Sequence, residues 1–398
     1  MQKRFTPDAG GMFPEWEEIE FGKLFQRRSE KNGEEFGVDK TISVATMHFK
    51  PEGNKADEKS LPKYKVMRTG DIAFEGHINK HFKHGRFVLN DIGDGIISPI
   101  FEVLQPVSEL SKEVPGFWKY YINYEPVMGK ILAKCANTGI MMNRLSIKDF
   151  YKQKIKVPCI EEQRKIAAAL AAYDEMIAVK TAKLETWQEC KKRMVKEIFD
   201  RTKRFKDDNG REFPEWEEKT LREVAEINPA SAESLPETFY YMDLGSIDSG
   251  IWTEKRLIDK KSAPSRAQRI AQQDDVFFQS VRPLNKDHYH YTKKADKSVV
   301  ASTGFIQLRI KNGSNAFLYQ LLYEDNFNKE VRKYMTGSNY PAINTTSLSK
   351  IKIMVPCMEE QQKIGSFLSE IDKEIQIEKE FVKTYAEGKK RMMRELMA

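Results

Sequence analysis

Five of the six histidines in this chain fall in two short stretches. "GHINKHFKHGR" carries His77, His81 and His84, and "KDHYHYTKK" carries His288 and His290. His77 and His81 stand four residues apart, a spacing that sets two imidazoles on one helical face and suits a zinc ion. A zinc-peptidase helix needs Glu directly after its first His, and Ile78 stands there instead. Glycines bracket the stretch, so the sequence predicts a loop there and no metal. His288 and His290 alternate, as in a strand or hairpin arm. Other catalytic signatures are missing. There is no phosphate-cradling G-x-x-x-x-G-K-[ST] and no dinucleotide G-x-G-x-x-G after a strand. An amino-methyltransferase would need Asn/Asp-Pro-Pro-Tyr/Phe around a flipped base, and the one Asn-Pro, Asn228–Pro229, runs on into Ala230.

Both histidine stretches suit polynucleotide contact better. The first carries Lys80, Lys83 and Arg86 beside His84 among glycines. The second, "SVRPLNKDHYHYTKK", interleaves Arg282, Lys286, Lys293 and Lys294 with His288, Tyr289, His290 and Tyr291. Lys and Arg neutralise phosphates, Arg, Asn, Gln and His read base edges, and aromatic rings pack on bases or sugars. Two polar loops further on, "NTGIMMNR" and "TGSNYPAINTTS", add Asn143, Arg144 and Asn339.

These residues sit at nearly corresponding places because the chain repeats. "FPEWEE" occurs at Phe13–Glu18 and again at Phe213–Glu218. "VPCIEEQRKI" at Val157–Ile166 matches "VPCMEEQQKI" at Val355–Ile364, and "KKRM" recurs at the same offset of 198. Between these anchors identity nearly vanishes, with weak echoes such as "TGDIAF" near Asp71 and "QDDVFF" near Asp275. Similar ends with dissimilar middles imply one scaffold carrying two specificities. The middles read as mixed α/β, with short strands followed by helices such as "GFWKYYINYEPVMGKILAKC".

After each "VPC" the chain is free of proline and rich in helix formers. An apolar seam runs through Ile166, Leu170, Tyr173, Ile177, Leu184, Trp187, Met194 and Ile198. Its copy runs through Ile364, Leu368, Ile371, Ile375, Val382, Tyr385, Met392 and Leu396. Steps of four and three make this a heptad pattern, with Lys180, Lys191, Glu378 and Lys389 filling the missing positions. Each seam predicts a helix of roughly 33 residues, about 50 Å long. The simplest partner for each is the other, packed antiparallel, with Lys180 and Glu378 as candidate neighbours.

Composition sets outer bounds. The chain has 398 residues, 40% apolar and 31% charged, which suits two or three packed domains with a charged surface. No apolar run is long enough to span a membrane, and the basic start lacks the apolar stretch of a signal peptide. Cys135, Cys159, Cys190 and Cys357 form no C-x-x-C pair, which fits a reduced, cytoplasmic protein. A net charge of +7 permits nucleic acid without requiring it. On residues alone two other classes remain open: a protein–protein scaffold with two globular heads on a coiled coil and no role on DNA, and a metal-dependent nuclease using the histidines.

The entry motifs "RFTPDAGGMFPEWEE" and "RFKDDNGREFPEWEE", the "GDI"-like strand, the "TG" loop and the paired "VPCIEEQRKI"/"VPCMEEQQKI" resemble the specificity subunit of type I restriction–modification enzymes over essentially the whole chain. The resemblance implies an α+β fold: two mixed α/β target recognition domains in pseudo-two-fold repeat, separated by two long antiparallel coiled-coil helices. The boundaries read as 1–156 and 201–354 for the recognition domains and 157–200 and 355–398 for the spacer helices. It implies a non-catalytic subunit that reads a bipartite double-stranded DNA target, one half-site per domain. Two methyltransferase subunits and, through them, restriction/translocase subunits are the implied partners. S-adenosylmethionine, ATP and Mg are expected on those partners, with no cofactor, metal or membrane bound by this chain. The exposed helix flanks around Glu161, Gln163, Glu359 and Gln361 are expected to dock the methyltransferase, beside the spacer positions Ile166, Leu170, Ile177, Leu184, Ile364, Leu368, Ile375 and Val382. Two departures stand out: Asp274–Asp275 replaces Gly-Asp in the second body, and "TGIMMNR" lacks the Ser or Thr expected after its glycine.

Overall fold

The computed structural model describes residues 4–50, 52, 58–139, 142–230 and 234–397. Two units divide the chain, Met1–Lys180 with Phe381–Ala398, and Thr181–Glu380. The long helices are Ile160–Phe199 and Met358–Met397, 40 residues each. They exceed the predicted length because each begins six residues before its apolar seam. Glu161, Glu162, Glu359 and Glu360 fill those first turns, where carboxylates offset the helix dipole.

Each unit holds the beginning of one long helix against the end of the other, antiparallel. In the first unit, Lys389 Nζ lies 2.5 Å from Asp174 Oδ1, the Tyr173 and Tyr385 rings meet edge to face at 6.4 Å, and Lys180 sits 4.2 Å over the Phe381 ring. In the second, Lys191 Nζ lies 2.6 Å from Asp372 Oδ1, and Lys183 reaches Glu378 at 2.7 Å. Near the bodies the seam is fully buried, at Ile166, Leu170, Ile364 and Leu368. Towards mid-helix Ile177, Leu184, Ile375 and Val382 are only half-buried, since two helices alone cover a stripe rather than a face.

The charges that interrupt the seam have a repeated use. Asp174 accepts from Lys389 and from Tyr120 OH at 2.8 Å. Asp372, its copy, accepts from Lys191 and from Gln320 Nε2 at 2.7 Å. Tyr120 and Gln320 lie on the helices Pro115–Tyr121 and Asn315–Leu321 of the two bodies. Each aspartate therefore ties both long helices to a body helix.

The entry motifs clasp the helix starts in the same way twice. Glu162, 1% exposed, accepts from Arg4 Nη2 at 2.8 Å and Trp16 Nε1 at 3.1 Å. Glu360, fully buried, accepts from Arg204 Nη2 at 2.9 Å and Trp216 Nε1 at 3.0 Å. Phe13 and Phe213 are buried beneath. The strand after each motif, Glu17–Glu20 or Glu217–Thr220, pairs antiparallel with the strand leading into the helix, Lys154–Val157 or Lys352–Val355. Chain entry and exit of each body thus lie side by side.

Each body is built on a four-stranded antiparallel sheet with one order. In the first, Phe25–Arg27, Glu102–Pro106, Ile72–Glu75 and Arg86–Leu89 neighbour in that sequence. In the second the series is Ala225–Ile227, Phe305–Ile310, Val276–Gln279 and Tyr289–His290. The central strands are buried on both faces, which accounts for continuous apolar runs such as "VFF" where alternation would mark a half-exposed strand. Beyond this common sheet the bodies diverge. The second carries another four-stranded sheet, ordered Arg256–Asp259, Thr238–Met242, Val299–Ser302 and Ala267–Ile270, with a parallel pair at Tyr240 and Val299. Among the described residues the first has two-stranded ribbons in its place, including Lys65–Met67 with Gly95–Ile97 and Ile42–Ser43 with His48–Phe49. Among the described residues no helix is long and apolar enough to cross a membrane.

Candidate nucleic-acid interface

The two basic stretches are the loops of one hairpin, present in each unit. In the first, Ile72–Glu75 turns through residues 76–85 into Arg86–Leu89. In the second, Val276–Gln279 turns through residues 280–288 into Tyr289–His290. A buried carboxylate anchors each root. Asp71 accepts from the Arg68 amide at 2.8 Å and pairs with Arg28, and Asp275 accepts from the Gln272 amide at 2.7 Å and pairs with Arg309. Burial pushes the Asp71 carboxyl up from its ordinary range, with Arg28 pulling the other way. The replacement of Gly-Asp by Asp-Asp keeps the geometry. Gly70 has φ +89° and Asp274 has φ +77°, and Asp is among the few residues that tolerate that region. Asp274 is held there by His290, 2.6 Å away, and Asn315.

Each hairpin loop meets the polar loop that follows the body's helices. The Asn143 amide donates to Gly76 O at 2.9 Å, and the Ile343 amide donates to Ser280 O at 3.0 Å. A Cβ on Gly76 would fall 2.1 Å from Asn143 O, so only glycine allows this approach. The sequences of these loops share almost nothing, yet the same docking forms twice.

Lys80, Lys83, Arg144, Arg282 and Asn339 stand exposed on these loops, whereas Lys293, also exposed, lies past Tyr289–His290 at the root end of the second hairpin. His84 and Arg86 are half-buried, with Arg86 5.1 Å over the Phe82 ring and within 3.5 Å of Glu75. Other candidates are structural as they stand. His288 is 0% exposed, stacks on Phe278 at 4.6 Å and accepts at Nδ1 from the Gln279 amide. Burial, helped by Lys286, lowers its pKa to about 3, so it is a neutral core imidazole and not a surface ligand. The strand alternation that suggested a contact points His288 inward and leaves Tyr289 half-buried against Trp252 and Tyr291. His290 is 8% exposed at its side chain and engaged by Asp274. Lys286 donates to Tyr323 O at 3.2 Å. Asn143 is 3% exposed, and its contribution is the backbone docking bond.

Glu161 and Glu359 are exposed, but Gln163 and Gln361 are buried, so they do not lie on an exposed flank. Their Nε2 atoms donate back to Pro158 O at 3.0 Å and Pro356 O at 2.9 Å, fixing the turn into each helix. The neighbouring carboxylates Glu162 and Glu360, and Asp174 and Asp372, are absent from the sites expected from sequence. Their identity in both copies at an offset of 198 was the available signal.

The whole chain is similar to known proteins. A family model described as the type I restriction modification DNA specificity domain matches residues 103–186 and 214–383. The type I restriction enzyme MjaVIII specificity subunit of Methanocaldococcus jannaschii is 25% identical over 318 residues, covering 76% of this chain and 73% of the relative. The crystal structure of a type I restriction–modification S subunit from M. genitalium aligns with a TM-score of 0.62 and 16% identity, over 99% of each chain. A structure addressing complex assembly and conformational transition of the type I R-M system aligns with a TM-score of 0.50 and 18% identity, over 97% of this chain and 98% of the other.

Proposed function

Because the matched segments span more than half of it, this chain belongs to the type I restriction modification DNA specificity family, and from that premise we propose how its two units divide the work. The chain is the non-catalytic, sequence-reading subunit of a type I restriction–modification complex. Each unit reads one half of a bipartite double-stranded target with its hairpin loop and docked polar loop. The observation that carries this reading is the duplication itself: one root and one docking contact, with different exposed side chains at the tips. Lys80 and Lys83 neutralise phosphates and set register. Exposed Arg, Asn and apolar residues read base edges, at about 1–3 kcal/mol of discrimination for each good bidentate contact.

The frame that repeats serves partners that bind twice. Two methyltransferase subunits dock on the repeated frame, including the flanks around Glu161 and Glu359, and restriction/translocase subunits join through that complex. S-adenosylmethionine, ATP and Mg belong to those partners. The long helices set the length of unread DNA between the half-sites. Gel shift of the complex purified with its methyltransferase, on bipartite DNA over a salt series, tests the reading. Salt-sensitive, sequence-dependent binding is expected. Its absence, with and without the methyltransferase, would leave a scaffold with no role on DNA.

A further inference from the structure

Arg282 occupies a backbone position that its sequence disfavours. Its φ of 52° and ψ of 51° lie in the left-handed region, and Pro283 follows it, which normally pushes the preceding residue towards extended conformations. Three contacts from the docked polar loop hold it there. The Arg282 amide donates to Pro341 O at 2.6 Å, Val281 bridges Ala342, and Nη2 donates to Asn339 O at 3.3 Å. The guanidinium lies 4.6 Å over the ring of Tyr340, which is itself 69% exposed. Among the described residues no carboxylate pairs with Arg282. Strain of this kind persists only where the surroundings over-determine it, and it gathers at binding sites. The result is an exposed, pre-oriented guanidinium at the tip of the second hairpin. One Nη2 hydrogen goes to Asn339 and a parallel pair of N–H groups remains free.

Resting on the reading of each unit as a half-site reader, we propose that Arg282 is a specificity-determining residue that pairs in the major groove with the O6/N7 edge of a guanine. Guanine is the base whose major-groove edge offers two adjacent acceptors to a guanidinium fork. Tyr340 and Asn339 are positioning residues that limit the arginine's freedom before DNA arrives. The corresponding position in the first unit, two residues past the docked carbonyl of Gly76, is Ile78, 57% exposed. An apolar side chain there fits a thymine methyl group. The same loop position therefore reads different bases in the two half-sites.

The test uses the complex with its methyltransferase subunits and a catalogue of methylated sites obtained by single-molecule sequencing. The wild type is expected to show a guanine in one half-site. Arg282→Ala should make that base pair degenerate, with discrimination falling by about 5- to 150-fold, while the other half-site is unchanged. Arg282→Lys should restore overall modification without restoring the discrimination, because an ammonium lacks the planar fork. Two results overturn the assignment: an even loss of modification with an unaltered motif, which marks a phosphate contact, or a motif degenerate at a pair other than G·C. A wild-type complex that yields no bipartite methylated motif instead defeats the half-site reading beneath it.

Discussion

Glu360→Gln isolates what the repeated entry motif does. Glu360 is fully buried and accepts from Arg204 Nε at 3.3 Å, Arg204 Nη2 at 2.9 Å and Trp216 Nε1 at 3.0 Å. Glutamine keeps the shape, but its amide turns a donor towards one of these donors and removes the charge opposing Arg204. Hydrogen bonds to charged groups are each worth about 1.5–3 kcal/mol net, and breaking a buried ion pair costs about 3–5 kcal/mol. Arg204 is 14% exposed at its side chain and keeps Phe213 O, Pro214 O and Glu215 as acceptors, which softens the loss. We expect about 2–4 kcal/mol, confined to the unit Thr181–Glu380. Native-state hydrogen exchange on the full chain reads this unit by unit. Protection of that unit's slowest amides should fall by about 30- to 1,000-fold, with the first unit unchanged. Glu162→Gln should give the mirror result. A change under about threefold, or an equal change in both units, would refute the clasp.

Lys191 and Asp372 should respond asymmetrically. Burial lowers the Lys191 pKa, with Asp372 opposing. Between that lowered value and 10.5 the unfolded state binds more protons, so this lysine makes stability rise with pH across that window. Lys191→Met leaves a partly exposed carboxylate still bonded to Gln320, so it should cost less than Asp372→Asn, by about 1–2 kcal/mol, and should flatten that rise. Denaturant melts between pH 7 and 10 decide it, and a loss in the methionine variant as large as in the asparagine one would contradict it. Asp274→Gly should be better tolerated than Asp274→Ala by about 1 kcal/mol, since alanine pays for the left-handed backbone. Equal melting midpoints would show that the His290 and Asn315 contacts, not φ, decide that site. Four residues inserted into each long helix near mid-length add about 6 Å of rise, close to two base-pair steps of about 3.4 Å. Methylated sites should keep both half-sites with a longer gap, or be lost; unchanged spacing would end the spacer role.

The repeat, the long helices and the matched positions of the basic loops were legible from the chain because each is written in local spacing. Heptad steps locate Ile166 and Leu170 on the buried side without further information. The burial of Glu162 was not legible, because what covers it is Arg4 and Trp16, which lie far back in sequence. A helix's first turn looks exposed until the chain entering the body folds over it. His288 misled for a related reason: a two-residue alternation fixes that neighbours face opposite ways, not which of them faces the core. The divergent sheet of Thr238–Met242 had no counterpart in the first body against which to be recognised.

The pairing of Glu17–Glu20 with Lys154–Val157, and of Glu217–Thr220 with Lys352–Val355, places the two ends of each body one strand spacing apart, about 5 Å. A segment whose ends adjoin can be cut out and replaced without disturbing what it was attached to. Similar stretches border it in both copies. Inheritance of a new DNA preference then needs no gradual reshaping of a working reader. A whole body arrives at once, already folded around its own hairpin, and the clasp at Glu162 or Glu360 receives it unchanged.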